Sequence, residues 1–149
     1  MAFRTRIKVR FSDEDHARIV YFPRFFHFFH VAFEDFFDAN GYPYRHVLDV
    51  DKCGWPAVKA EADFERAVRF GDVLEMDVWV ARLGTSSALF HYRGRRAGEA
   101  DDVCRGKITV VCVDLDTLES RPIPDKYRAL FASFTTPPDA EPHRPQRAK

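Results

Sequence analysis

This chain of 149 residues is predicted to fold as an α+β domain, one long helix packed on an antiparallel sheet. Three patterns predict it. The N-terminal segment alternates apolar and polar residues with a period of two. A single phenylalanine-rich segment then switches to the helical period. Four further alternating segments follow with no helix between them, and strands that succeed one another without crossover helices pair antiparallel.

In Phe3 to Phe11 the odd positions are Phe3, Thr5, Ile7, Val9 and Phe11, and the even ones are Arg4, Arg6, Lys8 and Arg10. That is a strand with one buried face. From Phe22 to Phe37 the residues Phe22, Phe25, Phe26, Phe29, Phe33, Phe36 and Phe37 recur at i, i+3, i+4 spacing, which predicts a helix. Pro23 suits its first turn, and Asn40-Gly41 supplies a stop. Phe28 lies off that stripe, so the helix is expected to be covered on more than one side.

A loop rich in glycine and proline (Gly41, Pro43, Gly54, Pro56) precedes the second strand, in which Val58, Ala60, Ala62 and Phe64 oppose Lys59, Glu61, Asp63 and Glu65. Leu74, Met76, Val78 and Val80 mark the third, and Ala88, Phe90 and Tyr92 the fourth, with a turn at Gly84 between them. Cys104 to Val113 is apolar enough to be a central fifth strand. Pro124 to Phe134 is expected to form a short closing helix. Residues 1–134 are thus one domain, and the proline-rich, polar stretch 135–149 is expected to be disordered. One helix covers only one face of such a sheet, so an edge or face is left to bury against a second subunit.

Composition excludes several classes. Lysine plus arginine and aspartate plus glutamate both total 23, so no net field favours nucleic acid or a membrane surface. No apolar run reaches the ~20 residues needed to span a bilayer, and the start MAFRTRIKVRF has no apolar signal core, which predicts a cytoplasmic protein. Cys53, Cys104 and Cys112 are odd in number and lack CxxC spacing, as expected of reduced cysteines. There is no G-x-S-x-G elbow and no glycine-rich phosphate loop. No cofactor is called for, and His27 with His30 lack a third metal ligand.

The remaining signal is FSDEDHARIVYFPRFF, three acids and a histidine at the mouth of the aromatic helix. By residue type alone such acids are solvated or capping groups. As a pattern, Asp13, Asp15, Ile19, Val20, Tyr21, Phe22 and Pro23 match in order the loop of the 4-hydroxybenzoyl-CoA thioesterase family, which this stretch resembles. The likeness extends through RFGDVLEMDVWVARLGTSSALFHYR and covers residues 3 to 130. It implies a hotdog fold, the sheet wrapped around the long helix, and a homodimer or homotetramer.

The resemblance also implies an acyl-CoA thioesterase. A thioester carbonyl needs an attacking oxygen on one side and hydrogen-bond donors for its oxygen on the other. By resemblance Asp15 is the catalytic carboxylate, attacking the carbonyl or activating water, and the backbone N–H of Phe22 polarises the carbonyl at the helix N-terminus. Asp13 and Glu14 are left structural, and His16 is read as exposed. Arg18 stands where many relatives have glycine. Phe22, Phe26 and Phe29 would line an aryl pocket, and His30 falls near the family's contact to a ring hydroxyl, where an acidic residue is usual. Arg82, Thr85, Ser86 and Ser87 match the turn that holds the coenzyme A nucleotide, with Arg93, Arg95 and Arg96 as a second basic cluster. Two other classes remain: a non-catalytic acyl-CoA-binding module, and an acyl-thioester hydratase or dehydratase pairing Asp15 with a histidine.

Overall fold

The computed structural model describes residues 1–138; most of the stretch predicted to be disordered, 139–149, lies outside the described residues. Strand β1 (Phe3–Lys8) leads through a 3-10 turn at Phe11–Asp13 into helix α1 (Arg24–Ala39). A short helix α2 (Tyr44–Asp49) and strands β2 (Cys53–Gly54), β3 (Ala57–Phe64), β4 (Val73–Leu83), β5 (Ser87–Arg96), β6 (Asp102–Val111) and β7 (Val113–Asp114) follow, and α3 (Asp125–Ala132) closes the chain. The five long strands form one antiparallel sheet in the order β1-β4-β5-β6-β3, while β2 and β7 pair separately.

Helix α1 lies against the inner face of this sheet because its apolar residues exceed one stripe. Phe25, Phe28, Phe29, Ala32, Phe33, Phe36 and Phe37 are all buried, and each large side chain contributes roughly 1.5–3 kcal/mol. Phe33 and Phe36 stack edge-on against Phe90 of β5, and Phe36 and Phe37 meet Phe131 of α3. The helix ends at Asn40, with Gly41 at φ +85°.

Close approach of helix and sheet is possible at Gly106, where a Cβ would stand 2.6 Å from the Phe29 ring. Gly106→Ala is therefore expected to cost about 1–3 kcal/mol by overpacking, read as a lower denaturant midpoint.

The outer face carries charge instead. Arg4, Asp77, Arg93, Arg105 and Asp63 stand in register across all five strands. Arg4 Nε reaches the buried Asp77 at 2.7 Å, and Asp102, also buried, is held by Arg93 Nε at 2.5 Å and Arg105 Nη2 at 2.6 Å.

Some expectations need correction. The sheet's middle strand is β5; β6 is interior but lies one strand further out. Phe11 has left the first strand and is exposed, and α1 begins at Arg24, with Phe22 and Pro23 in the turn before it. Helix α2 was not expected: its one buried anchor, Val47, makes no periodic pattern. Strand β3 is exposed along nearly its whole length and forms one edge of the sheet. No helix among the described residues is long and apolar enough to cross a membrane.

Candidate active site

The loop between β1 and α1 is held by its first acid. Asp13 is 3% exposed; its Oδ1 accepts from Arg24 Nε at 2.9 Å and Nη2 at 2.7 Å, and its Oδ2 accepts from the Arg10 N–H at 2.8 Å. Its backbone oxygen takes the Tyr21 N–H at 2.9 Å, so one residue ties the entry, the exit and the first turn of α1 together.

Between those ties the chain makes a narrow hairpin. Glu14 bridges Val20, the Asp15 N–H bonds the Ile19 oxygen at 3.1 Å, and the Arg18 N–H bonds the Asp15 oxygen at 3.0 Å. Val20 is buried, and its N–H is anchored on Val68 oxygen at 2.7 Å. The tip turns at Arg18, which sits at φ +62°. A residue with a side chain bears about 1–2 kcal/mol of strain there that glycine would not. The loop keeps the glycine-type backbone in spite of the arginine.

Asp15 is exposed at this tip. Its Oδ1 accepts the Ala17 N–H at 2.7 Å, and no cation is paired with it among the described residues. Two residues of the same type thus have opposite surroundings: Asp13 is saturated and buried, Asp15 is presented to solvent by a locked loop.

At the start of α1 the Arg24 N–H bonds Tyr21 oxygen, the Phe25 N–H bonds Phe22 oxygen, and the Phe26 N–H bonds Pro23 oxygen. Pro23 has no N–H to place. The Phe22 N–H has no acceptor among the described residues, which makes it an available donor at a helix N-terminus. The Phe22 ring is 57% exposed, 5.4 Å from Tyr21 and 5.9 Å from Phe64 of β3.

Phe26 is half-buried, beside Phe64 as well. Phe29 is wholly buried with its ring 5.0 Å from Tyr92, so in this chain it backs the aromatic cluster from the core. One turn beyond Phe26, His30 is exposed with Nε2 3.2 Å from Glu34 Oε1, and its ring neighbours Tyr44. Burial, reinforced by Glu34, pushes the Tyr44 hydroxyl up to about 12, so it keeps its proton. Sequence reasoning missed Glu34 and Tyr44; the i, i+4 spacing from His30 was a signal for the first only.

Arg82, Thr85, Ser86 and Ser87 are not brought to this loop within the chain. They lie at the far end of β4, whose eleven residues span roughly 35 Å. There the turn is clamped: Arg128 Nη2 donates to the oxygens of Gly84 and Thr85 at 2.8 Å, and Ser86 oxygen accepts the Cys112 N–H. In the second basic cluster, Arg93 is bound to Asp102, Arg95 lies 3.7 Å from Asp77, and Arg96 pairs with Asp72 and Glu99. His27 is exposed, and no group of three or more His, Cys, Asp or Glu among the described residues could hold a metal. Burial pushes the Cys104 and Cys112 thiols up to about 12, which leaves neither as a thiolate nucleophile.

Comparison with known proteins agrees with the fold. The model of the Thioesterase-like superfamily matches residues 9–131. The chain is 32% identical over 125 residues to a 1,4-dihydroxy-2-naphthoyl-CoA hydrolase of Synechococcus sp. (strain WH7803), covering 79% of this chain and 80% of that protein. A crystal structure of a thioesterase superfamily protein from Jannaschia sp. CCS1 superposes with a TM-score of 0.84 at 29% identity, covering 91% of this chain and 94% of the other. The structure of BH1999, a gentisyl-coenzyme A thioesterase, gives a TM-score of 0.77 at 25% identity, covering 85% and 99%.

Proposed function

The chain belongs to the thioesterase-like superfamily, has a hotdog fold and is an acyl-CoA thioesterase; from that premise we propose that it hydrolyses aromatic acyl-CoA esters with Asp15 and the Phe22 N–H as its catalytic groups. The observation that carries this reading is that one locked loop presents a carboxylate, exposed and without a cation partner among the described residues, and leads into an N–H that lacks an acceptor among them.

The Phe22 N–H donates to the thioester oxygen and stabilises the charge that develops on it as the carbonyl becomes tetrahedral. Asp15 acts on the carbon. Either it takes a proton from water as the water oxygen adds, or its own oxygen adds first and water later releases the acyl group. In both routes the C–S bond breaks, coenzyme A leaves as the thiolate and is protonated, and the acyl group leaves as a carboxylate.

The acyl group is assigned to the face carrying Phe22, Phe26 and Phe64, with Phe29 behind it. Ala62 and Gly106 are paired across β3 and β6 on the helix side and add little bulk there. Beyond the phenylalanines, His30, Glu34 and the Tyr44 hydroxyl offer donors and an acceptor to a ring hydroxyl. The acyl groups named for two relatives, 1,4-dihydroxy-2-naphthoyl and gentisyl, are hydroxylated aromatics of that kind.

A dimer through β3 would complete the site. Ala57 lies in register with Val110, Ala88 and Leu83 at the far turn, whereas Phe64 lies at the acid loop. Antiparallel pairing of two β3 edges about their middle therefore brings the partner's turn to the end that holds Asp15. That is the arrangement in which Arg82 and residues 85–87 could reach coenzyme A.

Free-thiol release from a panel of aryl- and alkyl-CoA esters tests the reading. Aryl esters are expected to lead by at least tenfold in kcat/KM, and sedimentation is expected to give a dimer or tetramer. An alkyl preference would overturn the acyl assignment, and a monomer would remove the turn from the site.

A further inference from the structure

A second cleft lies at the other edge of the sheet, between β1 and α1, with a volume of about 330 Å³. Its floor is apolar, made by Ile7, Phe28 and Val31, and Lys8, Arg10 and His27 stand at its rim. Arg6 and Arg24 also line it, but Arg6 is bonded to Glu75 and Arg24 to Asp13. Lys8 and Arg10 have no carboxylate within ion-pair distance among the described residues. Asp13, the one acid in the lining, already has both oxygens occupied. The cleft therefore combines an apolar patch at Ile7, Phe28 and Val31 with uncompensated positive charge from Lys8 and Arg10.

It is also separate from the acyl face. At 3.6 residues per turn, Arg24, Phe28 and Val31 project from roughly the opposite side of α1 to Phe26 and His30.

We propose that this cleft binds an organic monoanion with a compact apolar body, a carboxylate of benzoate to naphthoate size, as an effector site distinct from the active site. The volume stands at the small end of the range for ligand pockets, roughly 300–1,000 Å³, and excludes a coenzyme. The positive rim excludes a cation, and the apolar floor favours an aryl or short acyl carboxylate over inorganic phosphate.

Arg24 gives the cleft a route to the reaction. A carboxylate at the rim competes with Asp13 for the Arg24 guanidinium, and Asp13 is the residue that ties down the loop carrying Asp15 and Phe22. Occupancy is therefore expected to slow turnover without blocking the acyl face. If the proposed aromatic acyl specificity holds, the released acid is itself of this class and the cleft provides product feedback. Binding of the carboxylate stands apart from the proposed function; its effect on turnover and its identification as product feedback rest on that reading.

Calorimetric titration of the full chain with benzoate and 2-naphthoate, and with benzamide and inorganic phosphate as comparisons, tests the site with no thioester present. Both carboxylates are expected to bind saturably, with benzamide and phosphate at least tenfold weaker. In the Lys8→Gln, Arg10→Gln double variant benzoate is expected to bind at least tenfold more weakly, while basal thiol release stays within twofold. Val31→Trp fills the floor without touching a charge and is expected to weaken binding likewise. Benzoate inhibition of the wild type is expected to be non-competitive and lost in both variants. No saturable binding to the wild type, equal binding of phosphate, or benzoate binding unchanged in the folded variants would each overturn the proposal. Failure of the thioesterase reading would appear only in the release assay.

Discussion

Replacing Asp15 by asparagine is expected to lower thiol release from the best aryl-CoA ester by about 10²–10⁴-fold, with the fold and oligomeric state unchanged. The size follows from the role, since an amide can neither take a proton from water nor attack a thioester. Preservation of the fold follows from the surroundings. Among the described residues, the one hydrogen bond the Asp15 side chain makes is the 2.7 Å acceptance from the Ala17 N–H, and an asparagine oxygen can accept it equally well. Circular dichroism and sedimentation check the fold, and the thiol assay reads the rate. Release that survives the substitution would place the catalytic carboxylate elsewhere.

Two residues earlier the same chemistry should fail in the opposite way. Asp13→Ala is expected to destabilise the protein by about 3 kcal/mol, at the low end for a broken buried ion pair because Arg24 is 37% exposed and water can reach it. The loss leaves the Arg24 guanidinium and the Arg10 N–H without their acceptor and releases both ends of the loop. For a chain of this length that corresponds to a fall of roughly 6–12 °C in Tm. Activity should decline as well, because the loop that carries Asp15 and leads to the Phe22 N–H loses its side-chain ties to Arg24 and the Arg10 N–H. A variant with unchanged Tm would mean that the lock contributes nothing to folding.

These two aspartates mark the limit of what was legible beforehand. The helix stripe from Phe25 to Phe37 was readable because a residue buried on one face of a helix must recur with its period. The strands were readable for the same reason at a period of two. The acid loop was found through a resemblance that matched seven residues in order. That Asp13 is the buried one depends on Arg24, eleven residues later, folding back onto it, and nothing in the spacing announces that contact. Phe26 and Phe29 read alike on the stripe, yet Tyr92 and Gly106 cover Phe29 and leave Phe26 half open.

The amino-acid sequence by itself determined the class of fold, the order of its main elements and the loop where chemistry would be sought, because each of these is written in neighbouring residues through period, turn chemistry and motif. Tertiary structure alone decided which acid is locked and which is presented. It also decided that, among the described residues, the Phe22 N–H lacks an acceptor and β3 lies open at an edge, and that Arg82 and its turn stand a sheet's length away. Those outcomes depend on contacts between residues far apart in the chain, and packing and hydrogen-bond satisfaction over the whole domain select them.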